Sequence, residues 1–388
     1  RVLGVEGLGF PDWEAGSVSW SPQQDRAIAD VRAWLSDGSG KQVFRLFGYA
    51  GTGKTTLAKE LARSVKGTVL FATFTGKASL VLRQKGCDDA STIHSLIYKV
   101  EVNERTGEAT FCLNPDSALA DAALLIVDEV SMVGAELAAD LLSFGKRILV
   151  LGDPAQLPPV KDEGFFINCA PDVMLTEVHR QARDNPIIRM SMEIREGNRL
   201  SPGAYGESLV TSRAAIGHDR LRELVINADQ LLCGLNRTRI AYNRRIRSIK
   251  GLVGQAAEWH PTAGDRLICL RNKREKAIFN GGIWTADSVA DKFGCLSIEA
   301  TSLDEERDPL TLNVAEEFFV GAEHKIEWRE RRKYDEFTFG WAITCHKSQG
   351  SQWADVIIFD ESPAFREHRQ NWLYTAVTRA AERVAVIQ

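Results

Sequence analysis

No run in this sequence approaches the roughly 18 consecutive apolar residues that a membrane-spanning helix needs. The N-terminus also lacks the charged-then-apolar pattern of a secretion signal. No membrane partner is therefore expected. No Cys-x-x-Cys pair occurs either: the seven cysteines are dispersed, which removes support for a zinc site. An odd, scattered set reads as reduced, mostly buried thiols in a cytoplasmic, or cytoplasm-like, compartment. Internal repeats and low-complexity tracts are absent. So is any excess of basic charge, since 48 Lys and Arg face 52 Asp and Glu for a net charge of −4. Nothing global advertises a polyanion partner, although basic residues gather locally at Arg237–Lys250 and Arg271–Lys276. Runs of that kind are usually solvated faces of helices and loops. The chain opens on Arg1 rather than Met, as a trimmed chain or a fragment would, and residues 1–19 form a Gly-rich N-terminal leader.

What is present is an alternation. At 388 residues the chain is long enough for two domains, because single cores rarely grow past about 250–300 residues. Strand-like runs at Val43–Phe47, Val69–Phe74, Leu124–Val127 and Ile148–Leu151 are separated by helical stretches such as Thr55–Val65 and Gly134–Ser143. That order implies parallel βαβ units and a doubly wound α/β sheet. The second half repeats it less clearly, with strands expected at Gln230–Cys233, Arg266–Leu270, Asp355–Phe359 and Arg383–Ile387. Two α/β lobes are expected, residues 20–176 and 177–388, with the boundary between Thr176 and Pro202. Two segments interrupt them. Residues 98–115 contain two alternating runs around Arg105-Thr106-Gly107, a β-hairpin signature. Residues 283–336 carry short β-like runs, an acidic patch at Asp304–Asp308 and a charged stretch at Arg329–Lys333, as a small β-rich insertion would.

One motif carries chemistry on its own. Gly48-Tyr-Ala50-Gly51-Thr52-Gly53-Lys54-Thr55 fits G-x-x-x-x-G-K-[ST], with an apolar strand before it and a helix beginning at Thr55 and Thr56. The glycines let backbone N–H groups close around phosphates, and the helix N-terminus adds its positive dipole. Lys54 should reach the β- and γ-phosphates of ATP while the Thr55 hydroxyl ligates Mg²⁺. The apolar run Leu124–Val127 then delivers Asp128 and Glu129 to the sheet edge where α/β folds bind ligands. Asp128 would complete the Mg²⁺ shell, and Glu129 would deprotonate the attacking water. Adjacent acids at this place suit hydrolysis; a small-molecule kinase must instead exclude water.

Further motifs follow in order: Gly152-Asp153-Pro154-Ala155-Gln156-Leu157-Pro158-Pro159, then Thr344-Cys-His346-Lys347-Ser-Gln349-Gly350, then Tyr374-Thr-Ala-Val-Thr378-Arg379-Ala380. These resemble motifs III, V and VI of superfamily 1 helicases. Phe74-Thr75-Gly76-Lys77-Ala78, Thr92-Ile93-His94 and Leu175–Arg180 resemble the RecD/Dda-like branch of that superfamily. Ser21-Pro-Gln-Gln24 stands where the family carries its adenine-reading glutamine. The resemblance runs from about Ser21 to Ile387. It implies two RecA-like lobes with ATP between them, and Arg180 and Arg379 reaching the γ-phosphate as the cleft closes. It also implies that Gln156 senses that phosphate, and that Gly350 belongs to the ATP site. Thr75, Gly76, Lys77, His94, Pro158, Pro159, Thr344, His346 and Lys347 would line a single-strand channel, gripping phosphates without reading bases. The 98–115 hairpin falls where this branch inserts a pin that splits the duplex; its turn, Asn103–Gly107, is polar, and Phe111 lies on the returning strand. The 283–336 insertion matches a small SH3-like β-barrel in position.

One departure stands out: after Gln349-Gly350-Ser351 the family places a glutamate, and Gln352 stands here. The amide keeps hydrogen-bonding capacity without the charge. The reading that follows is an ATP- and Mg²⁺-dependent DNA helicase moving 5′-to-3′ on single strands and acting at duplex junctions. Its polarity comes wholly from the resemblance. Phosphate-gripping residues scarcely separate DNA from RNA. The rival readings are an ATP-switched single-strand binding protein and, further off, a P-loop small-molecule kinase. Protein partners are not legible in the sequence.

Overall fold

The computed structural model describes residues 20–38, 40–102, 109–158, 164–178, 184–253, 258–292 and 294–388. Pro159, Arg180 and the hairpin turn at 103–108 lie outside them.

The first sheet has six parallel strands in the order β3 (Ser91–Thr92), β2 (Val69–Thr73), β6 (Leu124–Asp128), β7 (Ile148–Gly152), β1 (Val43–Gly48) and β8 (Val173–Leu175). Its central strands β6 and β7 are nearly continuous apolar runs because both faces are covered. Phe44, Leu46, Leu124, Ile126, Leu149 and Leu151 pack toward helices α1 (Pro22–Ser36) and α2 (Lys54–Ser64). Their neighbours in sequence, among them Phe47, Leu125, Val127 and Val150, pack toward Ile93, Ile97 and Leu141 on the opposite face. Alternation along an extended chain thus feeds two cores from one strand. The expected strand bounds hold within a residue or two.

A second six-stranded sheet runs β17 (Ala342–Thr344), β11 (Gln230–Cys233), β18 (Trp353–Phe359), β19 (Ala380–Ile387), β10 (Ser208–Thr211) and β9 (Gly203–Tyr205), parallel except for the β9–β10 edge. The same alternation recurs: Leu232, Ile358 and Val386 enter one core, and Leu231, Ile357 and Ile387 the other. The molecule is therefore two RecA-like α/β lobes.

One expected strand of this lobe belongs elsewhere. Arg266–Leu270 does not join the parallel sheet: β12 (Arg266–Cys269) pairs antiparallel with β13 (Ile283–Lys292) and β16 (Phe337–Phe339). With β14 (Cys295–Ser302) and β15 (Leu310–Val314) these make a five-stranded antiparallel sheet that begins and ends outside residues 283–336. Leu267 and Cys269 enter this sheet's own core while Ile268 enters the lobe's. A short run buried on both sides is ambiguous in sequence. The remaining sheet is the expected hairpin, β4 (Tyr98–Val102) against β5 (Ala109–Leu113). Among the described residues no helix is long and apolar enough to cross a membrane.

The basic run Arg237–Lys250 is only partly a solvated face. Arg247 is buried, with its Nε donating to Asp265 Oδ1 at 2.8 Å, its Nη2 donating to the carbonyls of Leu252 (2.8 Å) and His260 (2.6 Å), and its guanidinium over the Phe339 ring. The ion pair ties the helix Asn236–Ile249 to the five-stranded sheet. Removing one partner would strand a buried charge, so Arg247→Ala should lower unfolding free energy by about 3–5 kcal/mol. Denaturant unfolding of the two proteins measures this.

Candidate active site

β1 ends at Gly48, and a Cβ there would lie 2.7 Å from Thr52 Oγ1 and 2.8 Å from Leu175 Cβ, so the strand exit admits no side chain. Gly51 and Gly53 take left-handed backbone angles, with φ of 77° and 78°, that favour glycine. The chain then enters α2 with its first N–H groups unpaired by the helix, a ready site for phosphate. Lys54 Nζ lies over this loop, donating to the carbonyls of Gly48 (2.6 Å) and Tyr49 (3.1 Å). Ala50, Gly51, Gly53, Lys54, Thr55 and Thr56 line a cleft of about 810 Å³. Gln24 does not. It is buried behind the loop, its Oε1 accepting from Ser21 N (3.0 Å) and its Nε2 donating to the Thr52 carbonyl (3.0 Å). Trp20 and Tyr49 are the aromatic residues that line the cleft.

β6 delivers the acids. Thr55 Oγ1 donates to Asp128 Oδ2 at 2.9 Å, and the Glu129 N–H donates to Asp128 Oδ1 at 2.8 Å. Burial, and then the neighbouring Glu129 charge, push the Asp128 carboxyl above its ordinary range, while Lys54 and the two hydrogen bonds pull the other way. A cation would relieve that tension. The oxygen-only donor pair Thr55–Asp128 beside a phosphate cradle fits Mg²⁺. Glu129 has a left-handed φ of 55°, which is uncommon for a residue with a side chain. Such strain is characteristic of functional positions.

The second lobe closes this site from two sides, first through the loop after β7. Asp153, at the end of β7, is buried and accepts from the Tyr374 hydroxyl at 2.7 Å; that hydroxyl in turn accepts from Ala50 N at 2.8 Å. Leu157 N donates to Thr375 Oγ1 (2.7 Å), and its carbonyl accepts from Gln349 Nε2 (2.7 Å). Asn371 Nδ2 donates to the carbonyls of Ala155 and Gln156 at 3.2 and 3.3 Å. Gln156 faces the cleft and accepts from Ser131 Oγ at 3.4 Å. From the other wall, Gly350, Gln352 and Arg379 line the same cleft. Gly350 sits so close to the first lobe that a Cβ would lie 2.9 Å from Ala78 Cβ and Thr75 Oγ1. The Arg379 guanidinium is buried, held by the carbonyls of Thr375 (3.1 Å) and Ser351 (3.3 Å) and by the Thr378 hydroxyl (3.3 Å).

The expected single-strand residues are distributed over both lobes. Thr75 caps helix α3 (Gly76–Gln84), accepting from Ala78 N. Gly76 lies against Phe279, and Lys77 is buried in an ion pair with Asp304, so its ammonium does not face solvent. His94 is exposed and lies between the Phe74 and Tyr98 rings. Pro158 follows the clasped loop. Thr344 ends β17. His346, its pKa lowered by burial and then by His368, lies beside Phe365. Lys347 Nζ donates to Asn280 Oδ1 at 3.0 Å. Asp153, Gln349 and Tyr374 lie within the sequence motifs without a role legible there, because their contacts are long-range and leave no local pattern. Asp304 was read only as part of an acidic patch.

Geometry alone defines the class: a P-loop nucleotide site at the junction of two RecA-like lobes. A family model described as an AAA domain matches residues 19–208, and one described as a UvrD-like helicase C-terminal domain matches residues 339–387. The chain is 29% identical over 402 residues to the ATP-dependent RecD2 DNA helicase of Deinococcus radiodurans, covering 98% of this chain and 51% of that protein. It is 24% identical over 396 residues to the ATP-dependent DNA helicase Pif1 of Bdellovibrio bacteriovorus, covering 87% and 81%. The fold is similar to that of a Pif1 helicase crystal structure from Candida albicans, with a TM-score of 0.53, 17% identity and 96% and 94% of the two chains covered. The chain is similar, over nearly its whole length, to superfamily 1 helicases of the RecD/Pif1-like group. It spans about half the length, or less, of the first curated relatives it matches.

The Tyr374 hydroxyl joins the phosphate loop, Asp153 and the second lobe, so Tyr374→Phe leaves a buried carboxylate oxygen and an N–H short of a partner. A loss of about 1–3 kcal/mol in unfolding free energy is expected, with weaker ATP binding measured by titration calorimetry.

Proposed function

We propose that this chain is an ATP-dependent DNA helicase that moves 5′-to-3′ along single-stranded DNA, hydrolysing ATP with Mg²⁺ in the cleft between its lobes. The observation that carries the reading is the loop Asp153–Leu157. Asp153 and Gln156 line the nucleotide cleft while Asp153 and Leu157 are hydrogen-bonded by the second lobe, so a change at the γ-phosphate is felt by both lobes.

Lys54 trades the carbonyls of Gly48 and Tyr49 for β- and γ-phosphate oxygens when ATP enters. Thr55 and Asp128 would hold Mg²⁺, which would supply positive charge to offset that of the phosphate oxygens. Glu129 takes a proton from the attacking water as the new P–O bond forms, and the bond to the leaving ADP oxygen breaks with its electron pair. Arg379, together with Arg180, balances the charge that spreads over the transferring group. Gln156 reports loss of the γ-phosphate to the second lobe. Thr75, Gly76, His94, Pro158, Pro159, Thr344, His346 and Lys347 grip the strand; Lys77 joins them only in a state where its pairing with Asp304 is exchanged for a phosphate. The β4–β5 hairpin serves as the pin, with Phe111, 60% exposed on the returning strand, as a bulky apolar side chain to meet a base pair. The five-stranded sheet takes the place of the SH3-like module.

Single-stranded DNA should raise the steady-state ATPase rate, and the stimulation should fade with salt because phosphate contacts release counterions. A rate indifferent to DNA at low salt would sink the motor reading. Glu129→Gln should cut turnover by about 10²–10⁴ while still binding ATP; if it bound none, the general-base role would be wrong. A 5′-tailed duplex should be displaced and a 3′-tailed one left intact. The reverse preference would overturn the polarity.

A further inference from the structure

Two basic segments that the nucleotide site leaves unused meet on one face of the five-stranded sheet. We propose that this face, centred on Trp328, is an additional single-strand nucleic-acid contact, a ledge onto which the strand runs beyond the channel; the proposal rests on the nucleic-acid reading above.

Trp328 is 62% exposed, an uncommon state for the largest apolar side chain. The Arg271 guanidinium lies over its ring at 5.2 Å and that of Arg332 at 6.0 Å. Arg271 and Trp328 are 57 positions apart in sequence, and two acids at the start of β16 bring their segments together. Glu336 pairs with Arg271 (3.3 Å) and with Arg331 (2.6 Å), while Asp335 pairs with Lys273 (2.7 Å) and Lys276 (2.6 Å). Each carboxylate thus holds two cations. With Arg332 added, five cations gather around Glu275, Asp335 and Glu336, so the ledge keeps a surplus of positive charge beside an exposed indole. A cavity of about 210 Å³ opens between Arg271, Asn272, Arg332 and Tyr334.

This is the chemistry of sequence-tolerant strand binding: a flat ring for a base to stack on, with guanidinium groups placed for the flanking phosphates. The ledge is also continuous with the expected channel. Asn272 Oδ1 accepts from Asn280 N at 2.7 Å, and Asn280 Oδ1 accepts from Lys347 Nζ at 3.0 Å. A strand leaving Lys347 therefore meets Asn280, Asn272 and then the Trp328 face. The charge surplus argues for a polyanion here rather than an apolar peptide.

The test is fluorescence anisotropy with labelled oligothymidylates of about 6 and about 20 nucleotides, using the whole chain. Wild type should bind the longer one more tightly. Trp328→Ala and Arg332→Glu should each weaken binding of the longer oligonucleotide by about 5- to 50-fold, leave the shorter one unaffected, and melt at the wild-type temperature. Trp328→Phe should retain most of the affinity. If wild type binds both oligonucleotides and neither variant weakens the longer one, the ledge is overturned and the channel reading survives. If wild type binds neither, the nucleic-acid reading itself falls, and the ledge with it.

Discussion

The loop after β7 is held by two lobes at once, and most of the chemistry proposed for this chain depends on that. A loop's backbone groups must find partners wherever water is excluded. Here the partners for the Asp153–Leu157 loop come largely from the second lobe: the Tyr374 and Thr375 hydroxyls, the Asn371 amide and the Gln349 amide. The lobes cannot separate without breaking several buried hydrogen bonds, nor can the loop shift without carrying the second lobe along. Interfaces of this kind have discrete arrangements, which is what a two-state device requires.

That constraint explains why charge is arranged as it is around the cleft. Asp128 and Asp153 are buried carboxylates whose acidity burial weakens, and Lys54 opposes the effect at both. A site that holds acids under such tension gains from a bound cation and from phosphates that draw Lys54 away from its own loop. Arg379 is similarly held in place by oxygens of its own lobe, so its charge is poised at the cleft wall before nucleotide arrives.

Much of this was legible in the sequence. The P-loop, the Asp128–Glu129 pair and the parallel strands around them are local patterns: glycines where the backbone must turn left-handed, apolar runs where both faces are covered. Long-range pairings were not. Arg266–Cys269 has the apolar character of a parallel strand, and only its register reveals the antiparallel sheet. Gln24 sits where an adenine-reading side chain was expected, yet both ends of its amide are occupied by backbone groups of Ser21 and Thr52. Lys77 and Asp304, 227 residues apart, find each other only in three dimensions. The exposed Trp328 likewise gains meaning only once Arg271 is seen beside it.

The central claim is that nucleotide and single strand are bound by one coupled unit, with the Asp153–Leu157 loop as the link. Coupling between two ligands is reciprocal and measurable as a change in affinity. The most direct measurement is the affinity for a single-stranded oligonucleotide with and without a non-hydrolysable ATP analogue, in wild type and in Thr375→Val. The account predicts a change of roughly 5- to 150-fold in wild type that collapses in the variant, while each ligand still binds alone. Equal affinities with and without the analogue in wild type would contradict it.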